Sequence, residues 1–264
     1  MRKLTFLCLL CSFCIASATA AQAHFGMVIP SAPTVMEAKE AAISLGLKFW
    51  HPFGNVGMDL EKPASFQVYH GGKAVDLLGA LKEGSEQGRR VWTSTFTVEQ
   101  PGLYAFVMEP KPYFEPEEDC FIVHLTKVYV DAFGDDDGWD EPLGLSTEIV
   151  PLVRPGALYA GNVFQGRVLR DGKPVPGAEV EVEWYPGPDK KGAAPYDSMV
   201  TQTVKADDAG VFTYAAPVPG WWGFAALQEG GATISRDGEE KDVELGAVIW
   251  VYFHGMQAPV ALGK

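Results

Sequence analysis

Histidine is the residue type whose placement in this sequence best suits chemistry. His24 directly follows Ala21-Gln22-Ala23, a small-residue pattern that is typical of a signal-peptidase site. Cleavage after Ala23 would make His24 the first residue. Its free α-amine and its imidazole Nδ1 would then bind one divalent ion together, and a second imidazole would complete three nitrogen ligands. Nitrogen-rich sites suit Cu(II) and Ni(II), provided that the ligands are deprotonated.

Neighbouring cleavage positions would change this chemistry. Cleavage after Ala21 would leave Gln22-Ala23-His24, in which the amine, two amide nitrogens and the imidazole form a square-planar set. Cleavage at the alternative pattern Ala18-Thr19-Ala20 would leave His24 four residues in, and the amine chelate would be lost. A histidine can also occur near a cleavage site by chance, so the metal hypothesis depends on where processing occurs.

His51 and His124 are the candidate partners of His24. His51 follows residues 42–50, whose alternating apolar side chains share one face, so its ring is expected at a strand end on the core side. His124 lies in the alternating segment 121–130, on the face opposite three apolar side chains. Either ring can instead be an ordinary core histidine. The predicted metal ligands are His24, His51 and His124.

Other polar residues are interpreted as structural. Met58 could add a soft thioether ligand but is read as apolar filler, and His70 is read as a surface residue beside a glycine turn. The acidic run at residues 135–141 fails as an EF-hand loop, because carboxylates are missing at its first and twelfth positions. The acidic cluster of Glu115, Glu117, Glu118 and Asp119 is expected to be solvated.

The amino terminus predicts the compartment. Arg2 and Lys3 precede an apolar stretch at residues 4–15 and a run of small residues, which is the arrangement of a secretory signal peptide. We therefore expect residues 1–23 to be cleaved and the mature protein to be periplasmic. Phe13 before Cys14 disfavours lipid attachment. No later segment reaches the roughly 20 apolar residues that span a bilayer.

Charge and motifs restrict the function classes. The formal net charge is −13, and loss of Arg2 and Lys3 would take it to −15. Such acidity disfavours nucleic acid as a partner and suits cations, although it also keeps exported proteins soluble. We find no nucleophile elbow, no P-loop, no dinucleotide fingerprint and no H-E-x-x-H motif. The sequence therefore predicts a protein that is not an enzyme.

The elements that must position the histidines are short strands. Frequent glycine and proline and short alternating segments predict an all-β fold, with one helical piece near residues 76–83. A proline- and glycine-rich seam divides the chain into residues 24–155, an immunoglobulin-like β-sandwich with the metal site, and residues 156–264, a second β-sandwich. Asp171-Gly172 predicts a hairpin turn in the second half.

Two family resemblances extend this interpretation. Residues 166–224 resemble the transthyretin-like or carboxypeptidase-regulatory-like sandwich, through a G-x-P-x-x-G-A-x-V strand pair and a D-x-x-G-x-F turn. The whole mature chain is similar to a family of periplasmic nickel and cobalt uptake components with a NikM-like domain. The segments that carry this second resemblance are Ala23-His24-Phe25-Gly26-Met27 with Pro30, His51-Pro52-Phe53, Gly57-Met58-Asp59, Pro112-Tyr113-Phe114-Glu115, Lys127-Val128-Tyr129-Val130, Trp139-Asp140, Glu148-Ile149-Val150-Pro151-Leu152 and Pro219-Gly220-Trp221-Trp222-Gly223-Phe224.

The second resemblance implies a metal-binding extracytoplasmic component beside an energy-coupling-type nickel or cobalt importer. It implies that His24, and with less force His51, hold the ion. Related transport subunits carry their terminal histidine on a membrane segment. This chain would need a separate membrane partner after cleavage, namely a transporter permease complex.

Three functions follow. The favoured one is a periplasmic transition-metal-binding protein that binds Ni2+ or Co2+ as an accessory or delivery component of an uptake transporter. The alternative is a Cu2+ carrier or a copper enzyme in which His24 and His51 form a histidine brace. The third is a structural or adhesive β-sandwich module without metal.

Overall fold

The computed structural model describes residues 24–258. The predicted signal peptide at residues 1–23 and its cleavage site lie outside the described residues. Over the described range the chain forms β-strands joined by turns and loops, and it contains no α-helix. This confirms the predicted all-β fold. Consistently, residues 24–258 include no helix with the length and apolar character needed to cross a membrane.

The strands of the described residues vary in length from two residues to 17. In residues 24–258 they are β1 (Phe25–Pro30), β2 (Thr34–Val35), β3 (Ala42–His51), β4 (Val56–Met58), β5 (Ser65–His70), β6 (Lys73–Asp76), β7 (Lys82–Glu86), β8 (Arg89–Thr97), β9 (Gly102–Glu109), β10 (Tyr113–Glu115), β11 (Cys120–Ala132), β12 (Thr147–Pro151), β13 (Val163–Arg170), β14 (Lys173–Pro174), β15 (Glu179–Tyr185), β16 (Gln202–Lys205), β17 (Val211–Ala215), β18 (Gly220–Arg236) and β19 (Glu239–Phe253). Single 3-10 turns lie at Ala38–Glu40, Leu78–Ala80, Pro155–Ala157 and Asp197–Met199.

The helix expected near residues 76–83 is wrong. The chain there leaves β6, makes the 3-10 turn Leu78–Ala80 and enters β7. The backbone N–H of Leu77 donates to the carbonyl of Phe66 at 2.8 Å, and that of Leu78 donates to Asp76 Oδ1 at 2.8 Å. Because so short a segment cannot repay the cost of helix nucleation, these turn contacts and the flanking strands determine its conformation.

The strands form three sheets. The first sheet has the order β1-β3-β8-β7, with β4 on β3. The central sheet has the order β16-β15-β18-β19-β11-β9-β5-β6, with β2 and β10 on β11, and the third has the order β12-β13-β14, with β17 on β13. β11 and β19 pair in parallel and so join strands of both halves in one sheet. The domain division after residue 155 stays a prediction, and the central sheet is continuous across it.

Two apolar cores lie on opposite faces of the central sheet. Side chains alternate between the faces along a strand. In β19, Val248 and Trp250 belong to the core shared with the first sheet, whereas Ala247 and Ile249 belong to the core shared with the third sheet. The first and third sheets therefore cover the two faces of the central sheet.

A close approach fixes the start of β1. A Cβ atom on Gly26 would lie 2.3 Å from Thr126 Oγ1 of β11, so glycine is needed for β1 to pack this closely on the central sheet. Trp250 Nε1 also donates a hydrogen bond to the Gly26 carbonyl at 2.8 Å. These contacts hold the chain in place where His24 enters the sandwich.

The predicted hairpin turn at Asp171-Gly172 is confirmed. It joins β13 to β14, and its two residues have φ values of 48° and 72°. Positive φ at both central positions is the signature of a type I′ turn.

Candidate metal centre at the end of a strand pair

The register of β1 and β3 brings His24 and His51 together. Phe25, the first residue of β1, lies opposite Trp50 in this antiparallel pair. His24 directly precedes Phe25 and His51 directly follows Trp50, so the same register places His24 opposite His51. The two ring centroids are 4.4 Å apart, with 49° between the ring planes. Two of the three predicted ligand residues therefore lie side by side, and we call them the histidine pair.

Aromatic rings enclose His24. Its ring stacks on Phe49, with 5.4 Å between centroids and 19° between planes, and it contacts Tyr113 at 6.2 Å. Phe49 and Tyr113 also contact each other at 5.0 Å. The His24 side chain is 12% exposed. This packing restricts the orientation of the imidazole and excludes most of the surrounding water.

Glu115 is a site residue that the sequence interpretation missed. It was expected in a solvated cluster, and that expectation is wrong for this residue, which is 6% exposed. Its Oε2 lies 2.9 Å from His24 Nε2. The reason is tertiary: β10 folds back on β11, with Glu115 opposite Cys120, and so directs the segment inward. The sequence signal for this strand is the short alternation of Tyr113 and Glu115 before the acidic turn, which places both side chains on one face.

Burial determines the charge of His24. Desolvation, and then the neighbouring His51 and His124, lower the pKa of His24 to about 3. The imidazole is therefore neutral near pH 7, although the Glu115 carboxylate is close. The 2.9 Å approach of Nε2 to Oε2 therefore brings a neutral ring, not an imidazolium, against the carboxyl group. Neutral imidazole is the form that binds metal ions.

His124 lies in the same cluster of rings. It is 1% exposed and lies opposite Gly246 in the β11–β19 pair. Its Nε2 lies 3.4 Å from Glu244 Oε1, and its Nδ1 has no hydrogen-bond partner among the described residues. Phe49, which stacks on His24, meets the His124 ring edge-on at 5.9 Å. A buried polar atom without a partner is uncommon and needs an explanation.

Side chains alone do not form a complete metal site. Over residues 24–258, no three His, Cys, Asp or Glu side chains are gathered closely enough to hold an ion. The histidine pair supplies two imidazoles, and any further ligand must come from elsewhere, such as a free amine. The assignment of His124 as a ligand stays a prediction.

Carboxylates make the surroundings of the cluster electronegative. Burial, then Glu244 and Glu115, raise the pKa of Glu118. Burial, then Glu118 and Glu244, raise the pKa of the Cys120 thiol to about 11. The thiol is therefore protonated at neutral pH and is not activated as a nucleophile or a ligand. This accumulation of acidic groups favours a cation at the site.

An opening connects His51 with the surface. His51 lines a cavity of about 380 Å³ together with Phe53, Gly54, Glu183 and residues of the loop between β15 and β16. The backbone N–H of Phe53 donates to Glu183 Oε2 at 3.0 Å, and Gly192 N–H donates to the Phe53 carbonyl at 2.7 Å. The loop of the second half is thereby fastened beside the histidine pair.

His70 and Met58 have other surroundings. The His70 ring is half-buried, where a surface position was expected, and stacks on Tyr104 at 4.0 Å with 3° between planes. Its Nδ1 lies 3.1 Å from the Leu103 carbonyl. Met58 lies opposite Phe49 in the β3–β4 pair and packs on the apolar core, which agrees with its predicted role as filler.

Comparison of the sequence with models of known protein families finds a match. The model of DUF4198, a domain of unknown function, matches residues 21–230. No curated protein matches the sequence.

Among solved structures, the chain is similar to the D0-D1 domain of Intimin, with 13% identity, a TM-score of 0.23, and coverage of 86% of this chain and 99% of that chain. It is similar to latent PorU from Porphyromonas gingivalis, with 9% identity, a TM-score of 0.26, and coverage of 88% and 20%. For the Yersinia pseudotuberculosis adhesin InvE the identity is 11%, the TM-score 0.23, and the coverage 84% and 58%. This chain thus spans a fifth of the PorU chain and 58% of the InvE chain. At such low identities and TM-scores, these structures indicate nothing about the function of this chain.

Proposed function

The chain belongs to the DUF4198 family, and we propose that its mature form binds a divalent transition metal ion, Ni2+ or Co2+. In this proposal the ligands are the α-amine and imidazole of His24 and the imidazole of His51. The observation that carries it is the cross-strand placement of His51 beside His24, with 4.4 Å between ring centroids, directly after the predicted cleavage site.

The donor set fits such an ion. Two side chains and one amine give three nitrogen ligands, which explains how a site can exist where no three side chains of residues 24–258 already form one. Nitrogen ligands suit Ni(II) and its neighbours in the first transition row. The amine has an unperturbed pKa near 8, within reach of deprotonation by a bound metal. His124 is proposed as an additional ligand, since its buried Nδ1 lacks a partner among the described residues.

Copper is the second candidate ion. An amine and two imidazoles are also the donor set of a histidine brace, and Cu2+ binds nitrogen sites more tightly than Ni2+ in the usual order of divalent affinities. A copper carrier would bind Cu2+ without catalysis. A copper enzyme would form peroxide from oxygen when a reductant is supplied.

In the favoured form of the proposal, the protein works in the periplasm beside a nickel or cobalt uptake transporter. The signal-peptide pattern, the acidic composition and the NikM-like resemblance support this role. The partner would be a membrane permease complex. Cells that lack the gene should accumulate less Ni2+ or Co2+ at low external metal. The native gene should restore uptake, and a His24→Ala gene should not.

Calorimetry tests the metal site directly. Ni2+, Co2+ and Cu2+ are titrated into protein that begins at His24, into its His24→Ala variant, and into a form that begins at Ala21 and so keeps the imidazole without the adjacent amine. We expect one ion per native chain and at least about tenfold weaker binding in both altered forms, because each loses a ligand of the chelate. His70→Ala is the matched control and should bind as the native protein does.

Equal affinity in the native and both altered forms would contradict the proposal. The intact mass of the exported protein supplies an independent check, since a mature chain that begins well before Gln22 cannot form the amine chelate. Absence of binding of all three ions in every form would leave a structural or adhesive β-sandwich without metal as the remaining function.

A further inference from the structure

We propose that Glu115 is a positioning residue, which holds His24 in the tautomer protonated at Nε2 and so makes Nδ1 the metal-binding nitrogen. This inference rests on the proposed function and deepens it, because it names the residue that prepares the ligand. It is carried by the contact between His24 Nε2 and Glu115 Oε2, which are 2.9 Å apart.

The contact determines which ring nitrogen carries the proton. An ionised carboxylate has acceptors only, whereas a neutral imidazole has one donor and one acceptor nitrogen. At 2.9 Å the distance is that of a charge-assisted hydrogen bond. In the proposed tautomer, His24 Nε2 carries the hydrogen that faces Glu115 Oε2, and Nδ1 keeps its lone pair.

Nδ1 is the nitrogen that the proposed chelate requires. It is the ring nitrogen nearer to the backbone, so it can close a small chelate ring around an ion that is also bound by the α-amine of the same residue. Nε2 lies on the far side of the imidazole and cannot. The other tautomer would place a hydrogen where the ion must bind.

Glu115 is itself held in place. The backbone N–H of Glu117 donates to Glu115 Oε1 at 3.0 Å, and the pairing of β10 with β11 fixes the backbone. One carboxylate oxygen is thus occupied by the turn, and the other faces His24. A residue that must orient a ligand needs this kind of support.

The same arrangement recurs at His124. There Glu244 Oε1 lies 3.4 Å from Nε2, and Nδ1 has no partner among the described residues. Each of these two imidazoles therefore has a carboxylate on the Nε2 side. Metal-bound histidines usually donate their second ring N–H to a carboxylate or a carbonyl, and loss of that partner costs about 10–100-fold in metal affinity or activity.

The first test needs no metal. Nitrogen-15 NMR of the His24 ring in metal-free protein that begins at His24 reports the tautomer, and we expect the hydrogen on Nε2. Glu115→Ala should shift the population toward the Nδ1–H tautomer, and Glu115→Asp should keep part of the Nε2–H population. Glu117→Ala removes an exposed carboxylate of the same turn and should leave the tautomer population unchanged. A native protein with the hydrogen on Nδ1 would overturn the inference.

The second test uses Ni2+ at pH 7 with the same variants. Glu115→Ala should bind about 10–100-fold more weakly, and Glu117→Ala should stay within about twofold of the native protein. Urea unfolding of each variant identifies any loss of structure, and Glu115→Asp provides a folded variant should Glu115→Ala unfold.

The outcomes separate the two proposals. Tight Ni2+ binding by the native protein with equal affinity in Glu115→Ala overturns the role of Glu115 and leaves the metal function standing. No Ni2+, Co2+ or Cu2+ binding by the native protein overturns the metal function, and the role of Glu115 with it.

Discussion

The Phe49 ring lies almost parallel to the ring of His24, with 5.4 Å between their centroids and 19° between their planes. Phe49 precedes His51 by two positions on β3, so the same strand supplies one imidazole and the stacking surface of the other. The stack limits the rotation of His24 before any ion arrives, and preorganised ligands bind more tightly because less conformational entropy is lost.

Replacement of this ring should weaken metal binding and leave the fold intact. In Phe49→Leu we expect Ni2+ affinity to fall about 2- to 10-fold, the equivalent of ordering one side chain at about 0.5–1.5 kcal/mol, as measured by calorimetry. Phe96→Leu is the control, since Phe96 packs on Tyr104 and Phe106 in the same core. It should lower the urea midpoint without changing the affinity. Equal affinity losses in both variants would contradict a specific role for the stack.

Local patterns were sufficient for the class of fold and for part of the site. Alternating apolar residues and turn residues act over a few positions, so the all-β class and the Asp171-Gly172 turn could be predicted. His51 at the end of a strand followed in the same way. Its pairing with His24 depends on the β1–β3 register, which the two short segments did not specify by themselves.

Contacts between distant segments could not be predicted. The parallel pairing of β11 with β19 places Phe121 opposite Val243 and His124 opposite Gly246. The sequence of neither segment specifies which strand it pairs with. Glu115 was misread for the same reason, because a run of acidic residues is usually solvated and its burial here comes from the fold of β10 onto β11.

Stability should decrease as the pH rises toward neutrality. Burial is the main cause that raises the pKa of Glu181 and of Glu183 to about 7, from an ordinary value of 4.5. The folded state therefore binds protons more readily than the unfolded chain. Their contribution is fully present below pH 4.5 and is lost as the pH rises through 7.

We expect the free energy of unfolding of metal-free protein to fall by about 3–6 kcal/mol over this range, given about 1.4 kcal/mol per pKa unit for each carboxyl and the coupling between the two groups. Urea titrations at a series of pH values measure it. Glu181→Gln and Glu183→Gln should each flatten the slope. Glu99→Gln, at an exposed carboxyl that contributes to neither pKa, should preserve it. A stability that rises from pH 5 to pH 7 would contradict the assignment.

A buried ion pair ties β11 to β12. Lys127 Nζ lies 2.8 Å from Glu148 Oε2, with side chains 1% and 2% exposed, and Glu148 also accepts from the backbone of Leu143 and Gly144. Lys127→Met leaves a buried carboxylate without its cation, so the free energy of unfolding should fall by about 3–5 kcal/mol. Urea unfolding measures this loss.

The double variant Lys127→Met with Glu148→Gln should be more stable than Lys127→Met alone, because the amide still accepts from the backbone and carries no charge. Lys205→Met, which breaks an exposed pair with Glu179, is the control and should have little effect. If the losses of stability in Lys127→Met and in Glu148→Gln simply add in the double variant, Lys127 and Glu148 do not interact as a pair.

Gly246 provides the means to decide the role of His124. A Cβ atom at this position would lie 2.2 Å from His124 Cδ2 and 2.7 Å from Nε2. Gly246→Ala must therefore displace the imidazole or shift β19, and we expect it to cost about 1–3 kcal/mol of stability, as for other overpacked cores. Gly79→Ala is the matched control, since a Cβ there would meet nothing within 4 Å.

Displacement of the His124 imidazole should also change the affinity of the proposed metal site. If His124 is a ligand, Gly246→Ala and His124→Ala should lower Ni2+ affinity by a similar factor of about ten or more, because each removes the same nitrogen from the ion, whereas Gly79→Ala should bind as the native protein does. Calorimetry on folded variants measures the affinities. Native affinity in both Gly246→Ala and His124→Ala would remove His124 from the ligand set and leave the amine and imidazole of His24 with the imidazole of His51 as the donors.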